Sequence, residues 1–192
     1  EGSRQVLGEI ADVYGPLIPV AEERIETAAR LDFADGIRVI PAPGHAPHHQ
    51  CFVFSEWVFC GELFGVYHEL GGGEFYLRPA TPPKFIHGAF KSAMARMAPE
   101  LDRKLCFAHH GMHPDGTAIL PLAQRQLDLW VSLVRQHADT PDVDAVIAAL
   151  KAEDPLFARI SDLPVEFIDR EMYYAGNSIR GMLHYVIENR AD

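Results

Sequence analysis

The sequence predicts an α/β chain, strand-rich up to residue 115 and helical over 116–192. Three observations predict it. Short apolar runs rich in β-branched and aromatic residues, at 37–42, 50–54, 57–60 and from 104, are bounded by Pro, Gly, Ser and Glu, the pattern of strands separated by tight turns. From residue 81 onward apolar residues recur at spacings of three and four behind capping residues and prolines, the pattern of helices. Three strand-like runs end in a histidine or an acid beside a glycine: Gly44-His45, Gly61-Glu62 and His109-His110-Gly111.

Taken in order, residues 3–14 place Val6, Leu7, Ile10, Val13 and Tyr14 at helical spacing, with Ser3 as N-cap and Gly15-Pro16 as the stop. Residues 17–30 form a connection and a charged segment, and Asp35-Gly36 turns into the first strand. Residues 37–42 run into Pro43-Gly44, a tight loop that delivers His45. Ser55-Glu56 joins 50–54 and 57–60 as a hairpin. Gly61 ends that strand, leaving Glu62 between Cys60 and Leu63-Phe64, where a carboxylate without a partner would be costly. Residues 69–73 end in three glycines and read as a flexible loop near the mouth of the site, before a short apolar run at 75–77. A phosphate cradle would need a helix N-terminus and a basic residue directly behind those glycines, and neither follows.

Thr81-Pro82-Pro83 marks a helix start, with Phe85, Ile86, Ala89, Phe90, Ala93, Met94 and Met97 as its apolar face and Pro99 as its stop. Pro114-Asp115-Gly116 turns into a long helix that begins at Thr117 or Pro121 and reaches His137. Thr140-Pro141 caps another through Leu150, residues 154–160 add one or two helical turns, and 164–187 form the last helix. Gly176 and Gly181 lie inside it, where each costs about 1 kcal/mol relative to alanine, so they predict close packing or a bend. Tyr173 and Tyr174 are expected near the mouth of the site.

Nitrogen and oxygen donors at consecutive strand ends suggest a metal site on a β scaffold. The segments that carry them, PGHAPHH at 43–49, CGELFG at 60–65 and FAHHG at 107–111, resemble those of the metallo-β-lactamase-fold hydrolases. In that family a PGH loop supplies a histidine to the first metal, a Gly-Asp pair supplies a bridging carboxylate, and a late histidine before a glycine binds the second metal. The resemblance implies His45, Glu62 and either His109 or His110 as ligands. His109 is preferred, because relatives with this form of the motif carry an aromatic residue between ligand and glycine, and His110 would take that place. The resemblance further implies zinc, with iron or manganese as alternatives, in one or two ions. It implies metal-activated hydrolysis of an ester, thioester, amide or phosphoester in a small-molecule substrate. The fold it implies is part of a four-layer αββα sandwich, with 1–115 as the C-terminal half of the domain and 116–192 packed on it. His48 and His49 are expected to orient a ligand or bound water, His68 and His113 to sit on exposed loops at the mouth, and His87 to lie on the surface or an interface.

Two features depart from the family pattern. No H-x-H-x-D-H motif precedes His45. The expectation is therefore a chain covering the second half of the fold, whose apolar sheet face needs a mate: a second copy in a homodimer, or an associated N-terminal half. Glu62 stands where the family has aspartate. Its extra methylene moves the carboxylate by about a bond length, large against the roughly 0.2 Å tolerance of metal–ligand distances. The alternative to a hydrolase is a non-catalytic oligomerisation or interaction module on the same fold. A diiron oxygen-reducing relative is a weaker third, since no flavin-binding region is present.

Composition narrows the classes. The chain has 192 residues, 48% hydrophobic and 23% charged, ordinary values for a globular domain with a substantial core. A net charge of −10 with no Lys/Arg cluster argues against nucleic acid or an anionic membrane as partner. No run of about 18 apolar residues and no basic leader occurs, so neither a transmembrane helix nor a signal peptide is expected. Cys51, Cys60 and Cys106 sit in separate apolar runs and form no C-x-x-C, which suits reduced core thiols in a cytoplasmic protein.

Overall fold

The computed structural model of the protein describes residues 10–13, 15, 16, 18–25 and 36–189. The chain divides into two compact units, Glu1–Ala34 and Asp35–Asp192. In the first, Ile10–Val13 (α1) is helical, and Gly15 follows with a φ of 73°, the left-handed conformation a glycine stop takes most readily. Glu22–Arg24 forms one 3-10 turn. The remainder of the helix expected over 3–14 lies outside the described residues.

The second unit is mixed α/β, as the sequence predicts. Arg38–Pro41 (β1), Gln50–Phe54 (β2) and Trp57–Gly61 (β3) form an antiparallel meander. Val66–Gly71 (β4) and Glu74–Arg78 (β5) form a separate two-stranded hairpin. His87–Met97 (α2) then leads to Lys104–Phe107 (β6), which joins the first sheet parallel to β3, and Met112–His113 (β7) adds an antiparallel edge. The five-stranded order is β1-β2-β3-β6-β7. Three helices follow: Gly116–Gln136 (α3), Val143–Glu153 (α4) and Val165–Glu188 (α5).

The alternation of side chains decides which sheet face meets the core. Cys51, Val53, Val58, Cys60, Leu105 and Phe107 are buried on one face, in a single cluster that continues through residues of α2 to α5. On the other face Phe52 sits opposite Phe59 and Phe54 opposite Trp57, and Phe54 and Phe59 remain 43% and 45% exposed. The three cysteines are free. Burial pushes the Cys51 thiol up to about 12 and Cys60 well above its ordinary range, so neither offers a thiolate at neutral pH. Among the described residues no helix is long and apolar enough to cross a membrane.

Several expectations need correction. The glycine-rich stretch is the tip of the β4–β5 hairpin and not a loop at the site mouth. Gly71, Gly72 and Gly73 have φ values of 88°, 62° and 83°, and the register from Val66↔Arg78 to Gly71↔Glu74 puts them at the end away from Arg78. The first long helix starts at His87 and not at Thr81. Proline disfavours the helical conformation of the residue before it, which excludes Thr81 and Pro82, and the Thr81 hydroxyl donates instead to the Ser178 carbonyl of α5 at 3.4 Å. Asp115 and Asp142 cap α3 and α4, each accepting from two backbone N–H groups, so α3 begins at Gly116 with Pro121 inside it and α4 begins after Pro141.

Gly181 does pack closely. A Cβ there would lie 2.5 Å from the Pro82 carbonyl oxygen. Gly181→Ala gains about 1 kcal/mol of helix propensity but must push rigid Pro-Pro backbone away from α5. The expected net result is a loss of about 1–2 kcal/mol, read from urea unfolding; a variant as stable as the parent would show that residues 82 and 83 yield.

Candidate metal centre

Three local devices bring the donors to one rim of the five-stranded sheet. After β1 the chain closes on itself, with Ala42 N–H donating to the His49 carbonyl at 2.9 Å and His49 N–H to that of Ala46 at 3.0 Å. The His45 ring, held in this loop, donates from Nδ1 to the Ala80 carbonyl at 2.8 Å, just past β5. At the end of β3 the pairing with β6 shifts register between Phe59 and Gly61, a bulge that re-aims the residue after it. Gly61 adopts a φ of 57°, and a Cβ on it would lie 2.4 Å from His49 Nε2. Only glycine lets the imidazole come this close, and the Glu62 N–H then donates to His49 Nε2 at 3.3 Å. Finally, Ala108 N–H donates to the Gly61 carbonyl at 3.0 Å and Phe107 N–H to Gly111 at 3.2 Å, closing the turn that carries His109 and His110.

The result gathers the residues singled out from the sequence around one carboxylate. His45 Nε2 lies 2.9 Å from Glu62 Oε2, and His109 Nε2 lies 3.5 Å from Glu62 Oε1. Each imidazole faces its own carboxylate oxygen. A carbonyl can only accept, so the bond to Ala80 fixes a proton on Nδ1 of His45 and leaves Nε2 directed at a carboxylate. That approach is favourable only with positive charge between the two atoms, supplied by a second proton or by a cation. Burial works against the charged form of both groups, but their mutual hydrogen bond and charge outweigh it. The pKa of His45 is raised and that of Glu62 lowered.

The donor chemistry suits zinc, which takes imidazole nitrogen and carboxylate oxygen. An imidazole nitrogen held by a backbone carbonyl is also the usual outer contact of a ligating histidine. Among the described residues, however, no group of three or more His, Cys, Asp or Glu is arranged to hold one ion. The geometry accounts for this: with one imidazole on each oxygen, Glu62 offers two ion positions a single nitrogen and a single oxygen apiece. The residues fit as part of such a site, with further donors needed at each position.

Other histidines fall into distinct roles. His49 accepts from the Glu62 backbone N–H, His48 is exposed, and His87 pairs with Asp128 at 2.7 Å on the surface beside Lys91. His113 is on β7, against the rings of Tyr67 and Phe75. His68 is not on an exposed loop: it lies on β4, 5% exposed, with its ring stacked on His110 at 3.9 Å between centroids. A buried polar group beyond it also escaped the sequence reading. Arg78 Nε donates to Glu171 Oε2 at 2.6 Å and Tyr76 donates to the same oxygen at 3.3 Å. The helix α5 thus faces the site with Phe167, Arg170 and Glu171, whose contacts reach His110, His68 and Arg78, while Tyr173 and Tyr174 are exposed and meet edge to face. One signal for Glu171 was available: it lies one turn after Phe167, a charge on an otherwise apolar helix face.

Comparison with known proteins agrees with this architecture. No family model matches the chain. Over 117 residues it is 28% identical to the metallo-beta-lactamase fold-containing protein ST1585 of Sulfurisphaera tokodaii, covering 58% of this chain and 43% of that protein. The crystal structure of ST1585, described as an archaeal metallo-beta-lactamase superfamily protein from Sulfolobus tokodaii, matches with a TM-score of 0.57 at 22% identity. The match covers 95% of this chain and 61% of that one, so this chain spans less than two thirds of its relative. Sequence and fold together make the chain a partial homologue of archaeal ST1585, with a mixed α/β fold that matches part of that metallo-beta-lactamase superfamily structure.

Proposed function

We propose that this chain carries part of the metal site of a metal-dependent hydrolase, acting on an ester, thioester, amide or phosphoester bond of a small molecule. One observation carries the reading: Glu62 directs its two oxygens at two different imidazoles, at 2.9 and 3.5 Å, and one of those imidazoles is anchored through Nδ1 to the Ala80 carbonyl, so that Nε2 is the atom it presents to the carboxylate. Zinc is the favoured ion, with iron or manganese as alternatives. When bound it would supply a Lewis acid and lower the pKa of a coordinated water. The chain's own residues would do the positioning: Ala80 fixes the His45 tautomer, His49 fixes the backbone of Glu62, and the β6–β7 turn presents His109. The donors still missing at each position would come from another polypeptide segment carrying histidine and carboxylate groups.

The test is metal analysis of the purified chain after zinc loading and gel filtration, beside assays of ester and phosphoester cleavage with zinc, manganese or iron. Zinc retained by the wild type and lost from His45→Ala is the expected result. Turnover that appears only when an H-x-H-x-D-H segment is supplied supports a shared site; no retained metal under any condition overturns the reading.

The half-exposed aromatics of the outer sheet face favour a second reading, in which the chain is an interaction module. Phe52, Phe54, Trp57 and Phe59 make a patch of aromatic surface on one side of β2 and β3, which water does not tolerate well over a contiguous area. Light scattering is expected to show a dimer or a complex. A monodisperse monomer at micromolar concentration would exclude it.

A further inference from the structure

The turn that carries His109 is an unfavourable one. His110 has a φ of 63°, a left-handed conformation uncommon for a residue with a Cβ and one that its surroundings help to hold. His109 does not enforce it, since its ring is half exposed and its polar contact among the described residues is Glu62 at 3.5 Å. His110, although exposed to solvent on its remaining side, is contacted by three side chains. The His68 ring stacks on it at 3.9 Å with 17° between planes, and the Phe167 ring meets it edge-on at 5.2 Å. The Arg170 guanidinium donates to His110 Nε2 at 3.4 Å and lies over the Phe167 ring at 4.8 Å.

The enclosing residues are themselves anchored. Arg170 precedes Glu171, whose carboxylate is tied to Arg78 and Tyr76 of β5, and this sets the rotation of α5 against the hairpin. His68 is a buried imidazole whose Nε2 has no hydrogen-bond partner among the described residues; Glu171 Oε1 is 3.9 Å away, too far for a hydrogen bond. A buried polar atom without a hydrogen bond is a cost, offset here by the electrostatic contact with Glu171 and by the ring's stack on His110. We propose that His68 of β4 together with Phe167 and Arg170 of α5 clamps the His110 ring, and that this clamp holds the turn in which His109 faces Glu62.

His110 is then a positioning residue. Its Nε2 lone pair is spent on a guanidinium, whose charge would repel a cation there, so the arrangement assigns the ligand role to His109. The inference rests on the metal-site reading for its purpose, but not for its existence, because the clamp is a property of the metal-free turn.

The decisive experiment compares amide signals of residues 108–112 in 1H–15N spectra of the metal-free full chain, for wild type, His68→Ala and His68→Phe. His68→Ala is expected to shift and broaden these signals while those of β1 and β2 stay in place, and His68→Phe, which keeps a flat ring, is expected to restore them. Zinc affinity measured by chelator competition should fall about tenfold or more in His68→Ala and recover in His68→Phe. If His68→Ala loses signals throughout the chain, His110→Gly decides. Glycine accepts the left-handed backbone without strain, so thermal stability is expected to hold while signals 109–111 broaden. Unchanged signals at 108–112 in the folded variant overturn the proposal. A wild type that binds no zinc overturns the metal reading alone, since the amide comparison still stands.

Discussion

Glu62→Gln is expected to weaken zinc binding by more than about 100-fold, the upper end of what losing even an outer-shell partner costs. In the metal-free chain it is expected to drop the pKa of His45 below the ordinary histidine value of 6.5. The substitution keeps the shape of the side chain and removes its charge, so packing beside Cys60 and Leu63 is preserved. Burial of His45 already favours the neutral ring; the hydrogen bond and charge of Glu62 now outweigh that burial, with help from the Ala80 carbonyl. Without the carboxylate, burial wins. The wild-type pair therefore contributes stability over a defined window. The His45 part is fully present below 6.5 and is lost as pH rises through its raised folded value, and the Glu62 part is present above 4.5 and is lost as pH falls through its lowered one. Zinc competes with the proton on His45 Nε2, so affinity should rise with pH across the raised pKa of His45. Chelator competition and imidazole NMR titrations read both effects. Equal zinc affinity in wild type and variant would remove Glu62 from the site.

How much of this was legible beforehand depends on the range of the interaction that encodes it. The strands around His45, Glu62 and His109 were readable because each is a short apolar run closed by its own turn residues, and β1, β2, β3 and β6 fall where those runs lie. The strand β4 was not, because Val66, Tyr67 and His68 are all buried and the period-of-two signal is absent from a strand covered on both faces. His68 was lost with it. Glu171 was missed for a different reason: its partner Arg78 lies 93 positions earlier, and no local pattern states that a helix surface charge will be turned inward. Thr81 shows the converse error. It has the chemistry of an N-cap, but a tertiary bond to Ser178 takes its hydroxyl, and two prolines postpone the helix. The sequence order of His45, Glu62 and His109 revealed the donors; only folding could reveal that each imidazole faces a separate oxygen.

Glu171→Gln is expected to destabilise the chain by about 3–5 kcal/mol, the cost of leaving one partner of a buried ion pair without the other. Arg78 and Glu171 are 3% and 2% exposed, so the guanidinium left behind has no access to water as compensation. Glutamine can still accept from Tyr76 and Arg78, which confines the loss to charge. The double variant Arg78→Met, Glu171→Gln should be less damaged than the sum of its parts, because no isolated charge remains buried. Acid provides an independent reading of the same carboxylate. Burial opposes its ionised form, but the neighbouring His68 and Arg78 outweigh burial and take its pKa from 4.5 to about 2. A group with a depressed folded pKa contributes stability that is present above its unfolded value and is lost as pH falls toward the folded one. Urea unfolding of the wild type should therefore weaken between pH 4.5 and about 2 through this residue, and the Glu171→Gln chain should lack that part of the slope. A variant within about 1 kcal/mol of wild type at pH 7 would mean that Arg78 reaches solvent or another acid when Glu171 is gone, and that α5 is not registered to the hairpin by this pair.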